Sequence, residues 1–333
     1  MPGLPRVLML SAYYFPFQGG TETHARRAAR ALRAQGGQVT IVTKRDERGS
    51  PDRDMVDGSP VHRIGPRGPR SGLRKWSMIP AAVATIVALR SEFDVIYCPG
   101  YQGIGLAAIT GGLLLGRPVV LRSGNLGVLA GGQWDAPLAR WHIPVTIWPV
   151  RALKRMIARV YMLADAFACN CRENEREAIA CGVPRAHVHY LPNAVDVDLF
   201  RPAVPGERDA VRKEQGWPCD VFLWLYTGRL SEEKGVLDLL EAWRRIDIPG
   251  VLVLVGPDMP GHPMDAGPAV RKYVTDHGLS TRVIVHGEST DVARLLRAAD
   301  AYVQPSHYES FSNALTEAMA TALPVVATRV GGM

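Results

Sequence analysis

The sequence predicts an α/β protein built from two tandem parallel-sheet domains, and three observations carry that reading. A chain of 333 residues exceeds one ordinary domain. Its short runs of Val, Ile and Leu are apolar throughout rather than alternating, as strands read when helices cover both faces of a sheet. Helical patterns separate these runs along the whole chain, the signature of repeated strand–helix–strand units.

Taken in order, the first half predicts strands over 6–11, 39–43, 94–98, 118–122, 165–170 and 187–191. A helix over 23–37 closes on Gly36 and Gly37, as a C-cap requires. The apolar stretch 104–115, interrupted by Gly105, Gly111 and Gly112, is too short for the ~20 residues of a membrane span and reads as a buried helix. The second half predicts strands over 221–227, 251–255, 283–286, 300–305 and 324–328. Helices over 236–245, 269–277, 290–298 and 313–322 separate them. Between the halves, 192–218 loses periodicity and gathers Pro, Gly and charge, which predicts a linker and places the domains at 1–200 and 201–333.

A hydrophobic fraction of 47% with 21% charged residues excludes disorder, collagen and coiled coil. Five cysteines without a CxxC pair, behind a start that lacks a secretory pattern, predict reduced thiols and a cytoplasmic chain. Cys169 and Cys171, at period two, read as one strand face, and no metal site is expected. The net charge of +7 is unevenly spread: residues 1–200 carry 25 Lys and Arg against 15 Asp and Glu, and residues 201–333 carry 14 against 17. The first half is therefore expected to meet something anionic.

In open parallel sheets ligands bind beyond the carboxyl ends of the strands, so the residues after each strand are the candidates. After the first strand, Gly19 and Gly20 open a helix whose N-terminus offers amide groups and a positive dipole end; a phosphate site and a plain turn both fit. The spacing G-x-G-x-x-G of a dinucleotide site occurs nowhere in the chain, which counts against an NAD-dependent dehydrogenase. After the first strand of the second half, TGRLSEEKG places Arg229 and Lys234 in one turn, where two cations can neutralise an anionic leaving group. The alternative has Lys234 pairing with Glu232 or Glu233 on a solvated turn. After its fourth strand, Glu309 lies in a turn, Ser310 to Asn313 open a helix, and Glu317 follows eight residues after Glu309. Carboxylates are poor neighbours for phosphate, so both glutamates are expected to serve hydroxyls of a sugar or ribose.

With these segments in hand, QGGTETHARRAARALRAQGGQVTIVT, YLPNAVDVDLFRP, TGRLSEEKG and YESFSNALTEAMATALPVVATRVGG stand in the same order as in a known family and span nearly the whole chain. The sequence resembles the retaining glycosyltransferases of the GT-B architecture, the large group 1 family with a Glu-x7-Glu motif that uses nucleotide-activated sugars. The resemblance implies two facing Rossmann-like domains, the second one shortened at its end. It assigns the donor diphosphate to Arg229 and Lys234, the donor sugar to Glu309 and the nucleotide ribose to Glu317. Phe311, Ser312 and Asn313 would offer backbone amides, Gly19 and Gly20 would close on the donor, and the base would lie near Gly256 and His286–Gly287. Many members carry a His at the end of the fourth strand of the first domain, where this chain has Arg122 and Ser123. Arg122 or Asn125 either substitutes for it or is structural.

The implied activity is transfer of a sugar from a nucleoside-diphosphate sugar to an acceptor hydroxyl with retention. Front-face attack would be helped by the leaving diphosphate, with no metal and no other cofactor. No Asp-x-Asp of the metal-dependent transferases falls in a suitable loop, and the one at 196–198 lies in the linker. A nucleotide-sugar epimerase of similar shape and a catalytically impaired sugar-nucleotide-binding protein are the rivals. The acceptor is expected to be a sugar or a lipid-linked glycan, as in cell-envelope or polysaccharide synthesis. Nucleic acid is not expected as a partner, since no recognised motif accompanies the basic residues.

Two basic segments remain. Over 148–165, Arg151, Arg155 and Arg159 recur every four residues with Lys154 alongside, and Leu153, Ile157, Val160 and Tyr161 fall largely on another face. Such a helix either lies on an anionic membrane surface or packs its apolar side on its own domain. Arg63, Arg67, Arg70, Arg74 and Lys75 read as a basic loop beside Trp76, and Trp134, Trp141 and Trp148 recur every seven residues as core or cleft wall.

Overall fold

The computed structural model describes residues 3–17, 19–45, 49–66, 74–129, 144 and 146–333. The chain divides into two compact units, Met1–Ala194 and Val195–Met333. The boundary falls six residues before the one expected from composition, and the reason is packing. Phe200 and Trp217 are buried in the core of the second unit, and 207–215 of the expected linker is a helix that buries Val211 and Arg212. Arg212 donates to the carbonyls of Ala298 and Val221 and pairs with Asp300 at 2.7 Å, so this segment is part of the domain. Asp196, the first residue of the Asp-x-Asp triplet, accepts from the amide of Leu199 within a turn.

The first unit runs β1 (Val7–Ser11), α1 (Gly20–Ala34), β2 (Val39–Lys44), β3 (Arg53–Val56), β4 (Ser59–Ile64), α2 (Arg74–Ala88) and β5 (Val95–Pro99). It continues with α3 (Gln102–Leu115), β6 (Val119–Ser123), α4 (Trp148–Tyr161), β7 (Ala166–Cys169), α5 (Arg172–Ala180) and β8 (Val188–Tyr190). Its sheet has the order β3-β4-β2-β1-β5-β6-β7-β8, parallel except for the β3–β4 hairpin. β1 is buried at every position and lies between β2 and β5. The six strands expected from apolar runs are all present within a residue or two.

The hairpin was missed. SPVHRI alternates buried and half-buried positions, the pattern of an edge region rather than of a doubly covered strand. This corrects the basic-loop reading of Arg63: it lies in β4, buried, paired with Asp54 at 3.1 Å and donating to the carbonyl of Phe15. Arg67 and Arg70, like Trp134 and Trp141, lie outside the described residues, as do the side chains of Arg74, Lys75 and Trp76. Cys171 is not on β7 with Cys169 but is the N-cap of α5; both thiols are buried.

The second unit runs α6 (Glu207–Gln215), β9 (Leu223–Thr227), α7 (Val236–Arg245), β10 (Val251–Val255), α8 (Gly267–Asp276) and β11 (Val283–Gly287). It ends with α9 (Val292–Arg297), β12 (Ala301–Gln304), α10 (Asn313–Ala320) and β13 (Val325–Ala327). Its five-stranded sheet, β11-β10-β9-β12-β13, is parallel throughout. Both sheets are covered by helices on two faces, and both belong to the Rossmann-like α/β class the sequence predicts. No helix among the described residues is long and apolar enough to cross a membrane.

Candidate functional site

A parallel sheet whose strand order reverses leaves a crevice at the carboxyl edge between the two strands where the chain turns back. In the second unit that point lies between β9 and β12. From β9 the chain winds outward through β10 and β11, and β12 returns to the other side. The loop after β9 carries Arg229 and Lys234, and the loop after β12 carries Glu309. The fold brings the two loops together: the amide of His307 donates to the carbonyl of Glu233 at 2.9 Å, and Lys234 Nζ pairs with Glu309 at 2.5 Å.

Neither loop is loosely placed. The Tyr226 hydroxyl, buried at the end of β9, donates to the carbonyl of Arg229 at 2.9 Å. Gly235 follows Lys234 with φ +65°, and a Cβ there would stand 2.1 Å from the carbonyl oxygen of Pro305. Only glycine allows that approach without strain. On the opposite side the amide of Gly332 donates to the carbonyl of Ser310, and Thr328 Oγ1 to that of Ser306. Beneath Glu309, Gln304 takes hydrogen bonds from Ser312 Oγ at 2.7 Å and from Tyr302 at 3.2 Å. Burial pushes the Tyr302 phenol well above its usual range, and the nearby charges of Glu317 and Glu309 add to the shift.

Each candidate of this half falls at the same edge. Arg229, about half-exposed, pairs with Glu233, so the solvated-turn alternative describes Arg229 rather than Lys234. Gly256 follows β10 with φ +155°, and its Cβ would collide with the carbonyl oxygen of Gly228 at 1.8 Å. Its amide donates to the carbonyl of Gly287, and the amide of Gly228 donates to that of Val255. Three adjacent strands thus end in glycines, a flat backbone floor without side chains. His286 packs its ring edge-on against Trp217 at 5.4 Å, and burial lowers its pKa. Ser312 caps α10, its hydroxyl accepting from the amide of Leu315, with Phe311 before it and Asn313 opening the helix. Glu317 lies in the second turn of α10.

Gly19 and Gly20 belong to the first unit. Gly19 is extended, a conformation any residue adopts, and a Cβ there would meet only the Glu22 carboxylate, at 2.4 Å. Glu22 holds the third position of α1, the acidic place of a capping box, so this helix start already has an anion of its own. That weakens the phosphate reading of the turn. What the sequence reading missed lies beside it. At the first unit's own strand-order reversal, between β1 and β5, is a cleft of about 200 Å³. Its lining includes Ser11, Thr21, Glu22, Tyr101, Gln102 and Asn125, drawn from four separate segments, which no local spacing could reveal.

Near this cleft, Arg122 at the end of β6 is 1% exposed and bonds Asn193 Oδ1, while its Nε has no partner among the described residues. His24 Nε2 and the Tyr97 hydroxyl are hydrogen-bonded at 2.7 Å. Burial, aided by the charges of Arg122 and Arg27, lowers the His24 pKa to about 3.

The comparisons with known proteins agree with this architecture. The family described as Glycosyltransferase Family 4 matches residues 18–199, and that described as Glycosyl transferases group 1 matches residues 222–333. The D-inositol 3-phosphate glycosyltransferase of Xylanimonas cellulosilytica is 32% identical over 374 aligned positions, which take in 100% of this chain and 83% of the relative. The enzyme of the same name from Mycobacterium bovis is 28% identical, over 98% and 69% of the two chains. Among solved structures, Anabaena HepE in complex with UDP superposes with a TM-score of 0.75 at 20% identity, covering 98% of this chain and 81% of that one. Sucrose-phosphate synthase from Thermosynechococcus elongatus does so with 0.75 at 23% identity, covering 98% and 82%. On sequence and fold together, this chain belongs to the group 1 glycosyltransferases of the GT-B fold and is an enzyme of sugar transfer.

Proposed function

We propose that the chain moves a sugar from a nucleoside-diphosphate donor to an acceptor hydroxyl with retention at the anomeric carbon. The observation that carries this reading is the convergence of Arg229, Lys234 and Glu309 where the second sheet reverses its strand order. In this reading Lys234 and Arg229 hold the diphosphate and stabilise the charge it gains as the bond to the sugar breaks. Glu309 contacts the sugar, Glu317 takes the ribose hydroxyls, and the amides at Phe311, Ser312 and Asn313 face the sugar or diphosphate. The glycine floor at Gly228, Gly256 and Gly287, with His286 beside it, takes the base. The acceptor oxygen forms its bond on the face the diphosphate leaves, and its proton passes to a diphosphate oxygen.

The solved relatives support such a donor, since HepE was captured with UDP and with UDP-glucose. In the first unit, the hydroxyl and amide side chains of the cleft suit a polyhydroxylated acceptor, a sugar or the glycan of a lipid-linked molecule. Two side-chain cations make a metal unnecessary in this scheme, and no other cofactor is called for.

The test is incubation with a panel of nucleotide sugars and hydroxylated acceptors, followed by NMR assignment of the product anomer. Retention with acceptor-dependent release of nucleotide is the expected result. Inversion overturns the stereochemistry. Release of nucleotide without any acceptor would point to the epimerase, and binding without turnover to a catalytically impaired protein.

A further inference from the structure

The helix α4 has more apolar surface than its own domain uses. Its inward side, Val150, Ile157, Val160 and Tyr161, is half-buried to fully buried, and Ile157 and Val160 pack with Tyr161 against the core of the first unit. That accounts for the amphipathic pattern. It does not account for the opposite side, where Trp148 is 80% exposed, nor for Met156 on its flank at 57%, with Ile147 and Leu163 exposed just beyond the two ends of the helix.

The basic residues share this outer side. At ~100° per residue, Arg151, Arg155 and Arg159 occupy an arc of about 80°, Trp148 falls inside it, and Met156 follows about 60° beyond it. All three arginines are exposed, none forms an ion pair with a described residue, and the helix contains no Asp or Glu. A helix that only presents a solvated charged face has no use for a tryptophan in that face and a methionine beside it. A helix lying in the interface of a bilayer does. Apolar side chains enter the acyl boundary while arginines reach anionic headgroups on long flexible stems.

We propose that the outer face of α4 is a docking surface for an anionic phospholipid leaflet, with Trp148 and Met156 inserting and Arg151, Arg155 and Arg159 pairing with headgroups. The occupant follows from charge complementarity joined to exposed apolar area. A nucleic acid or an acidic protein patch answers the arginines but leaves the apolar residues in water. The excess of positive charge in residues 1–200 favours the same partner. This inference goes beyond sugar transfer and does not rest on it.

The experiment is cosedimentation of the full chain with phosphatidylglycerol-containing and pure phosphatidylcholine vesicles at low ionic strength, with thermal melts to verify folding. Wild type is expected to bind the anionic vesicles and not the neutral ones. Changing Arg151, Arg155 and Arg159 together to Gln should weaken binding by about a hundredfold, as three lost headgroup contacts imply. Changing Trp148 and Met156 together to Ser should weaken it by at least about tenfold with the charge intact. Equal binding to both vesicle types, or to neither, overturns the proposal. Full binding by the serine variant overturns it as well, because the surface would then read charge alone.

Discussion

Lys234 and Glu309 are 75 residues apart in sequence and ion-paired at 2.5 Å, with side chains 16% and 14% exposed. The pair spans the reversal point of the second sheet and joins the loop of one strand to that of its neighbour. Both ions are largely withdrawn from water, so removing one leaves the other poorly compensated.

Lys234→Ala is therefore expected to lower transfer by roughly 10²–10³, the usual effect of losing one preorganised charge stabiliser. Glu309→Gln should also lower it, and the double variant should lose less than the two single losses combined, because each change already breaks the same pair. Full turnover in Lys234→Ala would remove this residue from the site.

Gly235 offers a test of the loop that carries Lys234. Gly235 and Gly216 both adopt a left-handed backbone, at +65° and +67°, but a Cβ at 216 would meet nothing within 4 Å. Gly216→Ala should cost only the conformational strain, roughly 1–2 kcal/mol. Gly235→Ala must in addition push Pro305 and the Glu309 loop aside. It should be the less stable of the two by urea unfolding, and only it should lose transfer activity.

A scheme in which arginine and lysine neutralise the diphosphate predicts insensitivity to chelation. Transfer measured with EDTA in excess over all divalent ions should match that measured with added magnesium. Loss of activity restored by magnesium would overturn the metal-free reading.

Much of this was legible in the chain because the relevant signals are local. Apolar runs such as VLVLV at 251–255 stand out wherever a strand is covered on both faces. TGRLSEEKG is legible because a strand end and a helix start bracket it within nine residues. The alternating hairpin strand 59–64 and the helix hidden in the charged stretch 207–215 carry weaker patterns, and both were passed over. The pairing of Lys234 with Glu309 and the four-segment cleft of the first unit depend on strand order, which no local spacing encodes.

His24 gives a pH prediction with a definite sign. Its pKa is about 3 in the folded chain, against an ordinary value of 6.5, so between these limits the unfolded chain binds a proton that the folded chain does not. Its contribution to stability is present above pH 6.5 and declines as the pH falls toward 3. Wild type should lose about 2–3 kcal/mol more unfolding free energy than His24→Gln between pH 7.5 and 4.5. Parallel profiles would show that His24 titrates normally.

Arg122 provides the last prediction. Its guanidinium is buried, bonds only Asn193 among the described contacts, leaves Nε without a partner, and has no carboxylate within salt-bridge distance among the described residues. The ionisable groups around it are neutral: burial raises the pKa of Tyr97 and of Cys171, and pushes Cys169 up to about 12. Burial correspondingly lowers the pKa of Arg122 itself. A buried cation without a counter-ion destabilises the fold, and an apolar residue of similar volume removes that cost. Asn193 would lose one partner, worth about 1 kcal/mol. Arg122→Met should therefore melt at the wild-type temperature or above it. If the charge is retained for sugar transfer, the same variant should lose activity by roughly tenfold or more. It should also let His24 protonate at higher pH, since Arg122 is one of the charges that depress it. A clear drop in melting temperature with transfer unchanged would instead make Arg122 a structural residue that holds Asn193.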